Sequence, residues 1–239
     1  MSTSNHRLAV GQVALLSLFV TALVTAQVTA SKVLAFDLPL SVPIAGETLF
    51  LPGAALAYAL TFFASDCYSE LYGRHAAQVM VNVGFAMNFI LLGLVWSTIL
   101  APAVNPESAA QYRAVLAPGT NIVLGSLLAY LVSQNWDVLV FHRIREATGE
   151  SMLWLRNIAS TATSQAIDTV LFVAIAFYVA PQVLGFGTQF EIPVILSLIV
   201  GQYVLKLLIA LVDTPFVYVV VGFFGGSNID TQDEAWAAE

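Results

Sequence analysis

Six apolar runs divide the chain, at residues 8–31, 50–65, 76–100, 120–141, 158–180 and 192–224. Most approach or exceed the roughly twenty residues that a helix needs to cross a bilayer. Between them lie the breakers Pro39, Pro43, Pro52-Gly53, Pro102, Pro106, Pro118-Gly119, Pro181, Gly185, Gly187 and Pro193, residues that end or bend regular elements. The second run is short unless it continues through Asp66 toward Glu70. The sixth is longer than a bilayer requires, so it is expected to tilt, kink near Pro215 or extend past the membrane. The first ends in a "VTA" that resembles a signal-peptide cleavage site, but its apolar stretch is longer than an h-region and is read as a span. The expectation is an all-α membrane protein with six transmembrane helices, residues 1–225 forming one domain and residues 226–239 an acidic, disordered tail.

Composition strengthens the membrane assignment. Hydrophobic residues make up 59% of the 239, charged residues 10%, and the mean hydropathy is +0.84, against roughly 45–50% and 25% in soluble domains. A single cysteine, Cys67, excludes an intrachain disulfide framework and any multi-cysteine metal site. His6, His75 and His142 show no metal-ligand spacing, and no phosphate-binding loop occurs, so the chain carries no ATPase of its own. No nucleophile–base pair points to an enzyme, and no cofactor, metal or nucleic-acid partner is expected. The net charge of −7 includes Asp230, Asp233, Glu234 and Glu239 in the last ten residues; it fits a high-salt organism or simply an acidic tail. Arg7, Arg74, Arg143, Arg145 and Arg156 fall on one side of the spans, Lys32 and Arg113 on the other. By the positive-inside rule both termini are cytoplasmic, and the segment from His142 to Arg156 is the main cytoplasmic connection.

Polar residues inside the apolar runs carry the candidate chemistry. Asp66 ends the second span, Asp137 lies near the cytoplasmic end of the fourth, Asp168 near the middle of the fifth, and Lys206 and Asp213 in the sixth. A charge at a helix centre costs about 2.5–3.5 kcal/mol on insertion scales, so these groups are expected to face a polar cavity. Spacing supports convergence: Ser164, Gln165 and Asp168 share one side of their helix, as do Gln134 and Asp137, and as do Gln202, Lys206 and Asp213. Asn88 adds a lone amide to the third span. The bland alternative is polar glue between helices. Two segments, "SQNWDVLVF" from Ser133 and "SQAIDTVLF" from Ser164, share the pattern S-Q-x-x-D. They lie on adjacent antiparallel helices, so they are not halves of a three-plus-three inverted repeat and are read as two similar ways of lining one cavity. A carboxylate beside an amide complements a planar heterocycle that presents adjacent N–H donors and a carbonyl, as guanine does.

Four strings go further: "SDCYSELYGRHAA" (65–77), "SQNWDVLVFHRIREATG" (133–149), "LWLRNIASTATSQAIDTVLF" (153–172) and "LKLLIALVDTPFVY" (205–218). Together they resemble the vitamin uptake transporter family of queuosine precursor transporters, over nearly all the chain except the tail. The resemblance implies uptake across the inner (cytoplasmic) membrane of 7-deazaguanine bases such as preQ0 or preQ1, used in tRNA modification, by a protein driven by protons or sodium. It leaves two alternatives open: a substrate-binding membrane subunit of an ATP-driven, energy-coupling-factor-type vitamin transporter, and a homodimeric assembly. The ligand candidates are Asp168 and Gln165 with Ser164, then Asp137 and Gln134, with Asn88, Arg156, Asn157, Lys206 and Asp213. Lys206 is expected to neutralise Asp213 or Asp168 in the empty protein. Asp66, Glu70 and Arg74 form a D-x-x-x-E-x-x-G-R pattern read as gating or coupling, with a plain helix-end charge cluster as the alternative. Arg156 and Asn157 could equally anchor the interface.

Overall fold

Backbone inside a bilayer has no water to bond to, and a long apolar run meets that constraint by coiling into a helix that pairs its own amides and carbonyls. The computed structural model describes residues 10–148 and 153–225. Arg7, the first residues of the first run, part of the His142–Arg156 connection and the acidic tail lie outside them.

In chain order come α1 (Val10–Thr29), strands β1 (Val33–Val42) and β2 (Gly46–Pro52), α2 (Ala55–Tyr72), α3 (Arg74–Leu100), a short α4 (Pro106–Leu116) and α5 (Gly119–Thr148). α6 (Leu153–Ala174) then runs through a π-helical turn (Ile175–Val179) into α7 (Ala180–Leu184), and α8 (Ile192–Gly225) follows. Among the described residues five stretches are long and apolar enough to cross a membrane: Val10–Thr29, Arg74–Leu100, Pro106–Thr148, Ile158–Leu184 and Ile192–Gly222. The protein is therefore a helical, multi-pass membrane protein. α2 stands where the second span was expected, shifted toward the C-terminus because residues 50–52 belong to a strand. Its last two turns carry Asp66 and Glu70, and it is not one of the five.

The described residues gather into two compact units. The first holds α1 up to Ala26, α2 from Leu56 with α3 up to Phe89, and α8 from Lys206. Its core is Leu15, Phe19, Leu23, Ala64, Cys67, Tyr68, Ala77 and Met80, with Val217 and Val220 packed against it. Gly84 lets Phe19 approach α3: a Cβ there would stand 2.6 Å from the ring. Gly73, at φ +87, turns α2 into α3 within one residue, a backbone shape that costs glycine little.

The second unit comprises residues 27–55 and 90–205. Its spine is the antiparallel pair α5–α6. One stripe of α5 (Gly125, Ala129 and Ser133) is small and buried, which lets helices come close in a membrane. Gly125 packs so tightly that a Cβ would lie 2.9 Å from the Ala176 methyl. Pro181 cannot donate to the carbonyl four residues back, that of Phe177. The amide of Phe190 bonds that carbonyl instead, at 3.2 Å.

The β1–β2 hairpin was not expected from the sequence. Its strands pair antiparallel from Val33 opposite Pro52 to Asp37 opposite Thr48, with an irregularity before Val42 opposite Gly46. The exposed strand edge leaves backbone groups to satisfy, and Ser197 of α8 does so. Its hydroxyl accepts from the Phe50 amide at 3.2 Å and donates to the Thr48 carbonyl at 2.9 Å. One turn along α8, Gly201 admits the Phe50 carbonyl against the helix surface. Substituting Gly201→Ala drives a methyl into that carbonyl and is expected to cost roughly 1–3 kcal/mol, read as a lower unfolding temperature in detergent. Gly93→Ala, inside α3 with open space around it, serves as the control and should leave the transition unmoved or slightly raised, alanine being the better helix former.

Candidate functional site

The α5–α6 seam brings the two S-Q-x-x-D segments face to face. Ser133 lies 3.3 Å from Asp168 Oδ1, and Ser164 lies 3.2 Å from Asp137 Oδ1. The serine of each motif thus bonds the aspartate of the other. Both serines are buried, at 5% and 6% exposure, and both aspartates are half-buried. Each hydroxyl also lies near the carbonyl three residues earlier, Tyr130 at 3.2 Å and Thr161 at 3.1 Å. A hydroxyl has one proton to give, and the charged acceptor makes the stronger bond. The contacts are long for O–H···O bonds, consistent with that sharing. One residue before Asp137 and Ser164 on their helices, Trp136 Nε1 donates to Thr163 Oγ1 at 3.2 Å, a further tie across the seam.

The expected ligand residues distribute unevenly around this seam. Ser164 and Asp168 face α5 as their spacing required. Gln165 is half-buried beside them, and Thr169, wholly buried, donates to its backbone carbonyl at 2.8 Å. Gln134 is exposed while Asp137 is not, so those two do not share one environment. Arg156 and Asn157 stand in the first turns of α6, but their side chains lie outside the described residues. Ser133 was not singled out from the sequence although it opens one of the two motifs; the repeat itself was the signal.

In the other unit, Asn88 is 1% exposed and neither atom of its amide finds a partner among the described residues. It continues the buried face of α3 that includes Met80 and Gly84. Asp213 is half-buried, with Oδ2 enclosed and without a partner among the described residues, and Lys206 is half-buried two turns earlier on α8. Asp66 lies within electrostatic reach of Asp213 and Glu70, so three carboxylates gather at the end of α2. Asp66, Glu70 and Arg74 are exposed. Sequence reasoning did not list Gln27 or Gln202 as ligands. Both are buried, at 2% and 6% exposure, and each carries an amide oxygen without a partner among the described residues. Among the described residues no three His, Cys, Asp or Glu come together as metal ligands. An open groove of about 520 Å³, lined by Tyr178, Gln189, Phe190, Glu191, Ile192 and Pro193, lies where α7 passes into α8. None of the expected site residues lines it.

Ionisable and amide groups held inside membrane helices mark the path of a small polar solute, and a multi-pass protein that collects them there is of the solute-transporter class. The family described as "Putative vitamin uptake transporter" matches residues 52–220. The chain belongs to that family, and it is a transporter rather than an enzyme. A protein of Bacillus subtilis (strain 168) named "Probable queuosine precursor transporter" is 33% identical to it over 166 residues, 67% of this chain and 67% of the relative. No solved structure matches it.

A buried amide without partners is a standing cost of about 1–3 kcal/mol. Asn88→Cys, close in volume and in effect a small hydrophobe, is therefore expected to leave the unfolding temperature of the ligand-free protein unchanged or raised. A fall of several degrees would show that the folded protein pairs the amide.

Proposed function

We propose that this protein takes up queuosine precursors, 7-deazaguanine bases such as preQ0 or preQ1, across the cytoplasmic membrane, supplying tRNA modification. On this reading α2 also crosses the membrane, which gives six spans with both termini in the cytoplasm. Asp168 and Asp137 accept the adjacent N–H donors of the base, and uptake is coupled to protons or sodium.

The observation that carries the reading is the pair of crossed Ser–Asp contacts. They hold two carboxylates, each with acceptor capacity beyond its serine bond, on the seam of two membrane helices. A guanine-like edge offers adjacent N–H groups to such acceptors, and two parallel bonds to one carboxylate give both strength and orientation. The name of the Bacillus subtilis relative supports the same substrate class.

Ligand-induced thermal stabilisation of the purified protein tests it. A ligand that binds only the folded state stabilises by about 2.7 kcal/mol at a hundred times its dissociation constant. preQ0 or preQ1 is expected to raise the unfolding temperature, and unrelated vitamins are not. Asp168→Asn should abolish the shift while the unliganded protein still unfolds cooperatively. Stabilisation by another vitamin alone would keep the transporter and overturn the substrate.

A further inference from the structure

We infer that Ser133 is a positioning residue for substrate recognition, acting through Asp168, and that α5 and α6 present a locally two-fold arrangement in which each S-Q-x-x-D motif supplies the serine that orients the other's carboxylate. The inference rests on the reading of Asp168 as a substrate acceptor.

Two features converge on it. First, the same five-residue pattern occurs at residues 133–137 and 164–168. Second, the antiparallel register pairs Ser133 with Asp168 and Ser164 with Asp137, so the two contacts are related by exchanging the helices. A chance polar contact between two helices has no reason to come in matched halves.

The consequence is chemical. Asp168 is half-buried, and a carboxylate that is to meet a base edge must be held in one orientation. A hydroxyl donating to Oδ1 restrains the carboxylate and uses one of its acceptor positions. The remaining positions are thereby aimed, and the ordering cost of binding is met before the substrate arrives. Ser133 itself is buried behind the carboxylate and acts through it. Ser164, expected from the sequence as a ligand, takes the equivalent place behind Asp137.

The test is uptake of radiolabelled preQ1 by host cells that lack a precursor transporter of their own and express the wild type, Ser133→Cys, Ser133→Ala or Asp168→Asn. At a site this buried threonine would add a methyl with no room for it, whereas cysteine keeps the size and weakens the donor. The expected KM rises in the order Ser, Cys, Ala, with alanine about tenfold above wild type and the maximal rate within about twofold. A role confined to helix packing would instead lower the amount of folded protein and the maximal rate and leave KM in place. That result, or an alanine KM equal to wild type, or cysteine weaker than alanine, overturns the inference. Should Ser133→Ala fail to reach the membrane, the Cys variant decides by the same KM comparison. Saturable preQ1 uptake unchanged in Asp168→Asn removes Asp168 from the site and this inference with it, whereas the absence of saturable preQ1 uptake by the wild type sinks the functional reading itself.

Discussion

Polar groups in this protein have to be satisfied by the chain itself, because the bilayer around it supplies no donors or acceptors. Much of the architecture follows from where those obligations fall. Ser197 lies against the edge of β2, where two backbone groups would otherwise be open. The Phe190 amide reaches back to the carbonyl that Pro181 leaves without its helical donor. Asn121, at the buried start of α5, donates to the Phe186 carbonyl at 2.8 Å. Trp96 donates to Thr120 at 2.9 Å. Each bond joins a regular helix to a place where regular backbone structure ends.

The exceptions fall on side chains. Asn88, Gln27, Gln202 and Asn121 are buried, yet each keeps at least one amide atom unpaired among the described residues, as does the Asp213 carboxylate. The open backbone groups at the strand edge, by contrast, are paired by a serine. Toleration of such side-chain atoms is what a solute-handling protein requires, since stability and function pull in opposite directions wherever a site must bind.

The helices were legible from the sequence because uninterrupted hydropathy is a strong signal over twenty residues. The expected third and sixth runs, 76–100 and 192–224, differ from α3 and α8 by no more than two residues at either end. The fourth was read as ending at residue 141, but α5 continues to Thr148, because Arg143, Arg145 and Glu146 are polar without being helix breakers. The hairpin was missed for a physical reason. Val33–Val42 contains Pro39 and no clean two-residue alternation, and its pairing depends on Ser197 and Gly201, some 150 residues away in sequence. Asp168 and Ser164 were legible as one helix face. Their partners were not, because which serine meets which aspartate depends on the register of α5 against α6. That register brings Gly125 against Ala176, an approach that a larger side chain at residue 125 would block.

The strength of the crossed contacts argues for what they do. Interhelical hydrogen bonds in membranes contribute about 0.6 kcal/mol on average, and these two are long and shared with helix carbonyls. Two such bonds add little beside the packing of small residues along α5. They also return only part of the about 2.5–3.5 kcal/mol cost of a central charge. As stabilising elements they would be a poor choice, since apolar residues of similar size would hold the helices together at no desolvation cost. What a leucine in place of Asp168 cannot do is hold acceptor oxygens in a fixed plane. The matched pairs are better explained by orientation than by strength, and orientation is what a site needs if it is to distinguish one planar heterocycle from another.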